Sequence, residues 1–407
     1  MGGDRESVMD GEPPARPVVP PATGQRVAWA GVPDWLRDEV AARLGGTVVE
    51  AVTQPGGFSP GLAVRLRLAD GRRAFVKAVG PDPNPDSAGI HRSEARTMAA
   101  LPRSAPAPRL LWSLDRHGWV ALAFEDVDGV HPALPWRPDE LRRVLDMVAD
   151  LAATLTPAPP GLPPIAERLS DTLTGWRRLA AASAAGHDDL AGLDGWAVRH
   201  LQRLADLEAG WPAATGGRTL LHLDLRADNL LLTPTRVVAV DWPYASVGAA
   251  WVDLLLLLPS VTMQGGPDPG PTFAAHPVAT AADPAAVTAT LAAFAGFLLE
   301  GARRPPPPGL PTLRAFQLGQ AWSPSTGCGS APAGTDRDPV RDRVSAWRRG
   351  RPNFSSRGAG PSTPVRKLAE ASEPPGPHEP LTDRRRFGIS GRARAARPRA
   401  GGRSGCS

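Results

Sequence analysis

Residues 221–231 read LHLDLRADNLL, and the architecture of the whole chain can be inferred from this segment. It places His222, Asp224 and Asn229 in the pattern H-x-D-x-x-x-x-N, between apolar residues. Twelve residues after Asn229, the apolar segment 236–240 runs into Asp241. The spacing predicts two carboxylates and one amide on neighbouring loops, each beside a short buried strand.

These three side chains suit the transfer of a phosphoryl group from ATP. That reaction needs positioning, charge neutralisation and an oriented nucleophile more than covalent help. Asp224 can take the proton of an attacking hydroxyl, and the oxygens of Asn229 and Asp241 are the hard ligands that Mg²⁺ prefers. The alternative interpretation is a polar loop between core strands, and under both interpretations we expect His222 to brace the loop.

Lysine usage points to a second group. The chain holds 46 Lys and Arg residues, of which only Lys77 and Lys367 are lysines. Lys77 ends a predicted strand, where its ammonium suits a point contact to phosphate oxygens. Glu94, 17 residues later on a predicted helix, is expected to pair with it. The alternatives are an exposed charge at a strand end for Lys77 and a solvated helix charge for Glu94.

Two weaker features concern the nucleotide. The glycine-rich turn 56–61 reads GGFSPG, in which glycines permit close approach of the backbone to phosphates and Ser59 offers a hydroxyl or amide donor. The segment 124–127 is predicted to link two lobes, and the backbone groups of Glu125 and Val127 are candidates for binding adenine. A plain hairpin loop and a simple linker are the respective alternatives.

The predicted elements divide the chain into two lobes. Residues 47–124 give strands at 47–53, 63–69, 73–79, 110–114 and 119–124 around one helix at 90–101, with a short helix before them at 33–44. After Gly129, helices are predicted at 138–155, 193–209, 249–258 and 285–303. The pattern predicts an α+β fold with a small antiparallel sheet in the N-terminal lobe and a larger, mainly helical C-terminal lobe.

Composition suggests where the folded region begins and ends. We predict a disordered segment 1–25, a nucleotide-binding N-lobe 26–128, a catalytic and acceptor-binding C-lobe 129–320 and a basic low-complexity tail 321–407. The tail holds 17 Lys and Arg against 7 Asp and Glu, so the net charge of +5 belongs to it. Disorder and an unrelated, out-of-frame 3′ end are both compatible with this tail.

Other classes of protein are disfavoured. Basic tails bind polyanions without specificity, so no specific nucleic-acid partner is expected. The two cysteines fit neither a disulfide scaffold nor a cysteine-rich metal site. The sequence has neither an evident membrane span nor a signal peptide, so a cytoplasmic location is predicted.

Together these motifs resemble the aminoglycoside phosphotransferase family, whose fold is protein-kinase-like, over roughly residues 48–314. The resemblance implies ATP and Mg²⁺ as cofactors, a small-molecule hydroxyl acceptor, Asp224 as base, Asn229 and Asp241 as metal ligands, and Lys77 with Glu94 as the phosphate-holding pair. The chain departs from the family at Leu223, where glycine is usual, at Pro243, where an acidic residue is common, and at the closing C-terminal helices. A protein kinase and a non-catalytic nucleotide-binding or scaffold protein are the alternatives.

Overall fold

The computed structural model describes residues 21–58, 60–81 and 86–321. Residues 1–20 of the predicted disordered segment 1–25 and residues 322–407 of the predicted tail 321–407 therefore lie outside the described residues, as does Ser59. The N-terminal lobe contains helices α1 (Asp34–Leu44) and α2 (Asp86–Ala100) and strands β1 (Val48–Thr53), β2 (Leu62–Leu68), β3 (Arg73–Val79), β4 (Leu110–Arg116) and β5 (Trp119–Glu125).

The five strands form one antiparallel sheet in the order β1-β2-β3-β5-β4. A tight turn joins β2 to β3, and Gly71 takes a left-handed φ of 87° there, which glycine adopts without steric cost. On one face, α1 buries Leu36 and Val40 against residues of β2 and β3. Helix α2 contacts β3, β4 and β5, so these strands hold it in place.

The C-terminal lobe is mainly helical. Its helices are α3 (Pro138–Thr154), α4 (Ile165–Arg168), α5 (Gly175–Ala184), α6 (Gly195–Arg199), α7 (Leu201–Glu208), α8 (Trp211–Ala214), α9 (Trp251–Met263), α10 (Pro269–Ala275), α11 (Pro284–Ala302) and α12 (Leu313–Ala321). Its strands are β6 (Thr219–Leu221), β7 (Leu230–Leu232), β8 (Val237–Ala239) and β9 (Ser246–Gly248). The α+β fold with two lobes that the sequence predicts is confirmed.

Two predicted helices differ from the observed ones. The single helix expected at 193–209 is two helices, because His200 leaves helical backbone angles with φ −110° and ψ 16°. Apolar residues such as Ala197 and Leu204 continue the same period on both sides of the break, so the sequence carries no sign of it. Helix α9 runs five residues past Leu258, through Pro259, because buried residues on that stretch override the proline.

Helix α11 is long and apolar enough to meet the length and composition criteria for a membrane span. It packs against α5, α7, α8 and α12, and buries residues from Val287 to Gly301. A core helix passes the same criteria, and this packing is that of a core helix. The cytoplasmic location stays a prediction.

Two short strand pairs bring the motif segments together. Strand β6 pairs with β9, and β7 pairs with β8, both antiparallel. The loop between β6 and β7 therefore lies beside the loop that follows β8. One backbone hydrogen bond joins the loops directly, from the Val240 N–H to the Asn229 carbonyl at 2.9 Å. Asp224, Asn229 and Asp241 all lie on these two adjacent loops.

Candidate active site

The first loop is held by His222 and Asp253. The Asp253 carboxylate accepts hydrogen bonds from the backbone N–H groups of His222 and Leu223, both at 2.8 Å. The His222 Nε2 lies 3.0 Å from the Val240 carbonyl and its Nδ1 accepts the Asp224 N–H at 3.2 Å, which assigns the ring proton to Nε2. Burial lowers the pKa of His222 to about 4, so the ring is a neutral brace between the two loops.

Two residues of the site have strained backbones. Leu223 has φ 65° and Asp241 has φ 69°, both in the left-handed region that favours glycine. The positive φ explains why glycine suits the position of Leu223, where the sequence departs from the related family. The paired hydrogen bonds to Asp253 fix this conformation despite its cost.

Asp224 is surrounded by donors. The Asn229 amide nitrogen donates to the Asp224 carbonyl at 2.8 Å and to its Oδ2 at 3.1 Å. The Arg226 guanidinium bonds to the other carboxylate oxygen, Oδ1, and also to Asp228 at 2.9 and 3.0 Å. Burial raises the pKa of Asp224 to about 7, although Arg226 opposes the shift. A carboxylate with a pKa near neutrality suits proton transfer.

Arg226 is a residue that the sequence analysis did not single out. Besides its two carboxylate partners, its guanidinium lies 5.5 Å from the ring centre of Phe58 and 5.7 Å from that of Phe316. The two rings meet edge to face at 5.1 Å. Phe58 belongs to the glycine-rich turn and Phe316 to α12, so Arg226 joins three segments that are distant in sequence. An arginine three residues from Asn229 is the only signal that the sequence offers.

Lys77 connects the two lobes. Its ammonium lies 2.5 Å from Glu94 Oε2 and 2.6 Å from Asp241 Oδ1. The other oxygen of Glu94 accepts the Trp242 N–H at 3.3 Å. Burial alone would raise the pKa of Asp241, but the charge of Lys77 keeps it well below its usual range. Lys77 stays protonated, because its two carboxylate partners outweigh the effect of burial on its pKa.

A cavity of about 390 Å³ opens between the sheet and the two loops. Its lining includes Lys77, Glu94, Asn229 and Asp241, together with apolar residues such as Phe124. Its volume is within the range of small-molecule sites, which are concave, partly apolar and furnished with a few convergent polar groups. The cavity therefore has the size and lining expected for a small-molecule ligand.

The segment between the lobes follows the end of β5. The Glu125 N–H donates to the Arg109 carbonyl at 2.9 Å, and the Val127 carbonyl accepts the Gly129 N–H at 3.0 Å. The Val127 N–H has no hydrogen-bond partner among the described residues, so it is the group that remains for a nucleobase. Both residues line the cavity, whereas Ser59, the other nucleotide candidate, lies outside the described residues.

Asp126, between Glu125 and Val127, holds this segment in place. Its side chain is only 3% exposed, and it accepts hydrogen bonds from Arg65 and Arg73 at 2.6 to 3.0 Å. These bonds tie the segment to β2 and β3, which fixes the backbone of its neighbours at the edge of the cavity.

The residues present fit a magnesium ion. Because the Asn229 amide nitrogen points at Asp224, its Oδ1 is the atom left for a cation. Asp241 bonds Lys77 through Oδ1, which leaves Oδ2 as a ligand. In the described ranges no cluster of three or more His, Cys, Asp or Glu forms a cation site. Such a sparse set of hard oxygen donors matches Mg²⁺, which usually completes its shell with phosphate oxygens and water.

The fold of this chain is similar to those of solved phosphotransferases and kinases. One is a thermostable mutant of aminoglycoside phosphotransferase APH(4)-Ia with ADP and hygromycin B (14% identity, TM-score 0.48, covering 78% of this chain and 99% of the other). Others are choline kinase LicA from Streptococcus pneumoniae (13%, 0.47, 70% and 96%) and a choline/ethanolamine kinase family protein from Mesorhizobium loti (17%, 0.49, 78% and 99%). No curated protein sequence matches the chain.

A family model gives the assignment. The model of the APH family, described as the phosphotransferase enzyme family, matches residues 55–294. The match begins just before the glycine-rich turn and ends within α11, so it takes in β2 to β9 and both loops of the site. The resemblance inferred from the motifs is thereby confirmed: the chain belongs to the APH phosphotransferase enzyme family.

Proposed function

We propose that this protein transfers the γ-phosphoryl group of ATP, with Mg²⁺, to a hydroxyl group of a small molecule. The observation that carries the proposal is the Lys77 ammonium, which lies 2.5 Å from Glu94 and 2.6 Å from Asp241 in a cavity that Asn229 also lines. A positive charge and the side-chain oxygens of Asn229 and Asp241, which could hold a metal ion, thereby line one cavity of small-molecule size. Phosphoryl transfer requires this convergence of charges.

The nucleotide would lie with its base toward the segment after β5. Val127 would donate its N–H to the adenine, and Glu125 would contact the base through its backbone. The glycine-rich turn would face the phosphates, and Ser59 is proposed as a donor to them. Lys77 would contact α- and β-phosphate oxygens, held in place by Glu94. Asn229 and Asp241 would hold the magnesium ion, which neutralises phosphate charge when bound.

In this proposal Asp224 is the base. The acceptor oxygen bonds to the γ-phosphorus as the bond from that phosphorus to the β,γ-bridging oxygen breaks, and the hydroxyl proton passes to the Asp224 carboxylate. Asn229 fixes the orientation of the carboxylate through the bond at 3.1 Å. Arg226 forms an ion pair with the same carboxylate, so its positive charge would stabilise negative charge on Asp224.

The acceptor is proposed to be a small molecule. Asp253 follows Asp241 by only 12 positions, and the 11 residues between them include strand β9 and the start of α9. A protein kinase holds its protein substrate with a longer segment at this place, so the spacing argues against that alternative. Acidic residues of the C-lobe could in principle attract a cationic acceptor, but three of them cap or pair locally: Asp188 with Arg303, Asp189 with the Ala191 N–H and Asp194 with the Trp196 N–H.

The test of the proposal is a comparison of Asp224→Asn with wild type. The protein is incubated with ATP, Mg²⁺ and a panel of hydroxylated metabolites and antibiotics, and mass spectrometry follows transfer of one phosphoryl group. Asp224→Asn is expected to lose at least about 100-fold in turnover, the usual contribution of a positioned base, while its affinity for ATP stays near that of wild type. Asp150→Asn, on the exposed side of α3, is the matched control.

Two results would contradict the proposed function, and a third would contradict only the assignment of Asp224 as the base. A wild-type chain that shows no thermal stabilisation by millimolar ATP with Mg²⁺ would not be a phosphotransferase. A wild-type chain that binds ATP but phosphorylates nothing in a broad panel would favour the non-catalytic nucleotide-binding alternative. Unchanged turnover in Asp224→Asn would show that another group is the base.

A further inference from the structure

The chain just before α1 lies along the glycine-rich turn, although the family match begins only at residue 55. The Gly61 N–H donates to the Gln25 carbonyl and the Val27 N–H donates to the Gly61 carbonyl, both at 3.0 Å. Part of this segment falls within the predicted disordered region 1–25, yet from residue 21 its backbone is paired. The pairing fixes the backbone of Arg26 beside the turn.

The Arg26 side chain is half-buried and lines the same cavity as Lys77 and Asp241. Its Nε donates to the Gln54 carbonyl at 3.1 Å, and its terminal nitrogen bonds to the Gly56 carbonyl. Burial lowers the pKa of Arg26, while the negative charge of Asp241 acts in the opposite direction. Arg26 and Asp241 both line the cavity, so their opposite charges act within the same space.

The two other cations of the site, Lys77 and Arg226, are each engaged by two carboxylates. Lys77 shares its single positive charge between Glu94 and Asp241, and Arg226 shares its charge between Asp224 and Asp228. A triphosphate brings further negative charge into the same space. Arginine presents a planar set of donors that matches phosphate oxygens and cannot lose its proton, so it suits this task.

We propose that Arg26 binds the polyphosphate of the nucleotide, joining the glycine-rich turn to the phosphates from a segment outside the matched family region. The inference rests on the proposed function, since it assumes that a nucleotide occupies the cavity. Its guanidinium has several donors, so it would keep the turn carbonyls as partners while donating to phosphate oxygens as well. The residue would therefore discriminate between nucleotides by their number of phosphates.

The experiment measures binding of ATP, ADP and adenosine, each with Mg²⁺, by calorimetry at low and high salt. Arg26→Gln removes the charge but keeps donors for the turn, and Arg26→Lys keeps the charge without the fork. Arg67→Gln is the matched control, because Arg67 is exposed on β2 and, within the described residues, its ion pair is with the exposed Glu50. We expect Arg26→Gln to weaken ATP binding about 10-fold, equivalent to about 1.4 kcal/mol. Adenosine binding should stay unchanged.

Each outcome decides the question. A weaker salt dependence of ATP binding in Arg26→Gln, with ADP affected less than ATP, supports the inference. Equal weakening for ATP and adenosine would mean that Arg26 only shapes the turn, and wild-type affinity for ATP would overturn the inference while leaving the proposed function standing. If Arg26→Gln fails to fold, Arg26→Lys must keep the salt dependence of the wild type. A wild-type chain that binds no nucleotide overturns both.

Discussion

Replacing Lys77 with methionine is expected to destabilise the chain even when no nucleotide is bound. The Lys77 ammonium is the link between two carboxylates, Glu94 at 2.5 Å and Asp241 at 2.6 Å. The side chain of Glu94 is 2% exposed and that of Lys77 is 10% exposed, whereas Asp241 keeps 25% of its side chain accessible. Burial already raises the pKa of Glu94 to about 7 against the opposing effect of Lys77, so without the ammonium Glu94 must either take up a proton or remain a buried charge facing Asp241.

The burial of each group sets the size of the effect. Removing one partner of a buried ion pair typically costs 3–5 kcal/mol, because the other charge remains without compensation. The cost falls mostly on Glu94, since water in the cavity can solvate Asp241. We therefore expect Lys77→Met to lower the free energy of unfolding by about 3 kcal/mol, a large share of the about 5–15 kcal/mol of a typical protein.

Urea unfolding of four proteins, without nucleotide or Mg²⁺, measures the coupling. These are wild type, Lys77→Met, Glu94→Gln and the double variant. In the double variant both charges are gone, and the glutamine still offers an oxygen to the Trp242 N–H. Its loss of stability should be smaller than the sum of the two single losses by about 1–3 kcal/mol. Arg67→Met breaks the exposed pair with Glu50 and should cost no more than about 1 kcal/mol.

Additive losses, or a Lys77→Met variant within about 0.5 kcal/mol of wild type, would refute the reasoning. Additive losses would mean that Lys77 and Glu94 contribute to stability independently. A Lys77→Met variant as stable as wild type would mean that the Glu94 side chain becomes solvated when the ammonium is removed. An altered dependence on urea would indicate a change in the surface exposed on unfolding, and the comparison would then have to use thermal unfolding.

Asp241→Asn keeps the shape of the side chain but removes its charge, so calorimetry should find at least about a 10-fold loss of ATP affinity with Mg²⁺, a loss equivalent to about 1.4 kcal/mol. Its affinity in EDTA should stay near that of wild type, and an equal loss in both conditions would contradict metal ligation. Burial lowers the pKa of His222 from 6.5 to about 4, so stability from the neutral ring is complete above about pH 6.5 and lost toward pH 4. Relative to His222→Gln, wild type should lose up to about 1.4 kcal/mol per pH unit in that range, and nitrogen NMR that finds a protonated ring at pH 6 would contradict this.

Local pattern was enough for the parts of the fold that depend on neighbours in sequence. The strands of the sheet show alternation, Asp70-Gly71 marks a hairpin, and the loop motif lies within eight consecutive residues, 222–229. Lys77 could be singled out because arginine fills almost every other cationic position. These signals are written locally and need no knowledge of tertiary contacts.

Other parts of the site depend on contacts that sequence patterns do not record. Asp253 lies in the first turn of its helix, where the nearest amides are those of the helix itself, but its carboxylate binds loop amides 30 and 31 positions away. The aromatic neighbours of Arg226 are Phe58 and Phe316, which are far from Arg226 and from each other in the sequence. Arg26 follows a proline-rich segment that has no strand pattern. This segment pairs with the glycine-rich turn through backbone groups, which places little constraint on its side chains, so the sequence shows no sign of the pairing.

Anyone shortening this protein for expression will be tempted to cut at the borders of the recognised family, residues 55 and 294. Such a fragment would retain Lys77 and the whole loop motif, and would pass as complete by sequence. It would nevertheless lack β1, the aromatic neighbour that α12 supplies to Arg226, and the backbone partners of Gly61. Boundaries drawn at residues 21 and 321 preserve all three.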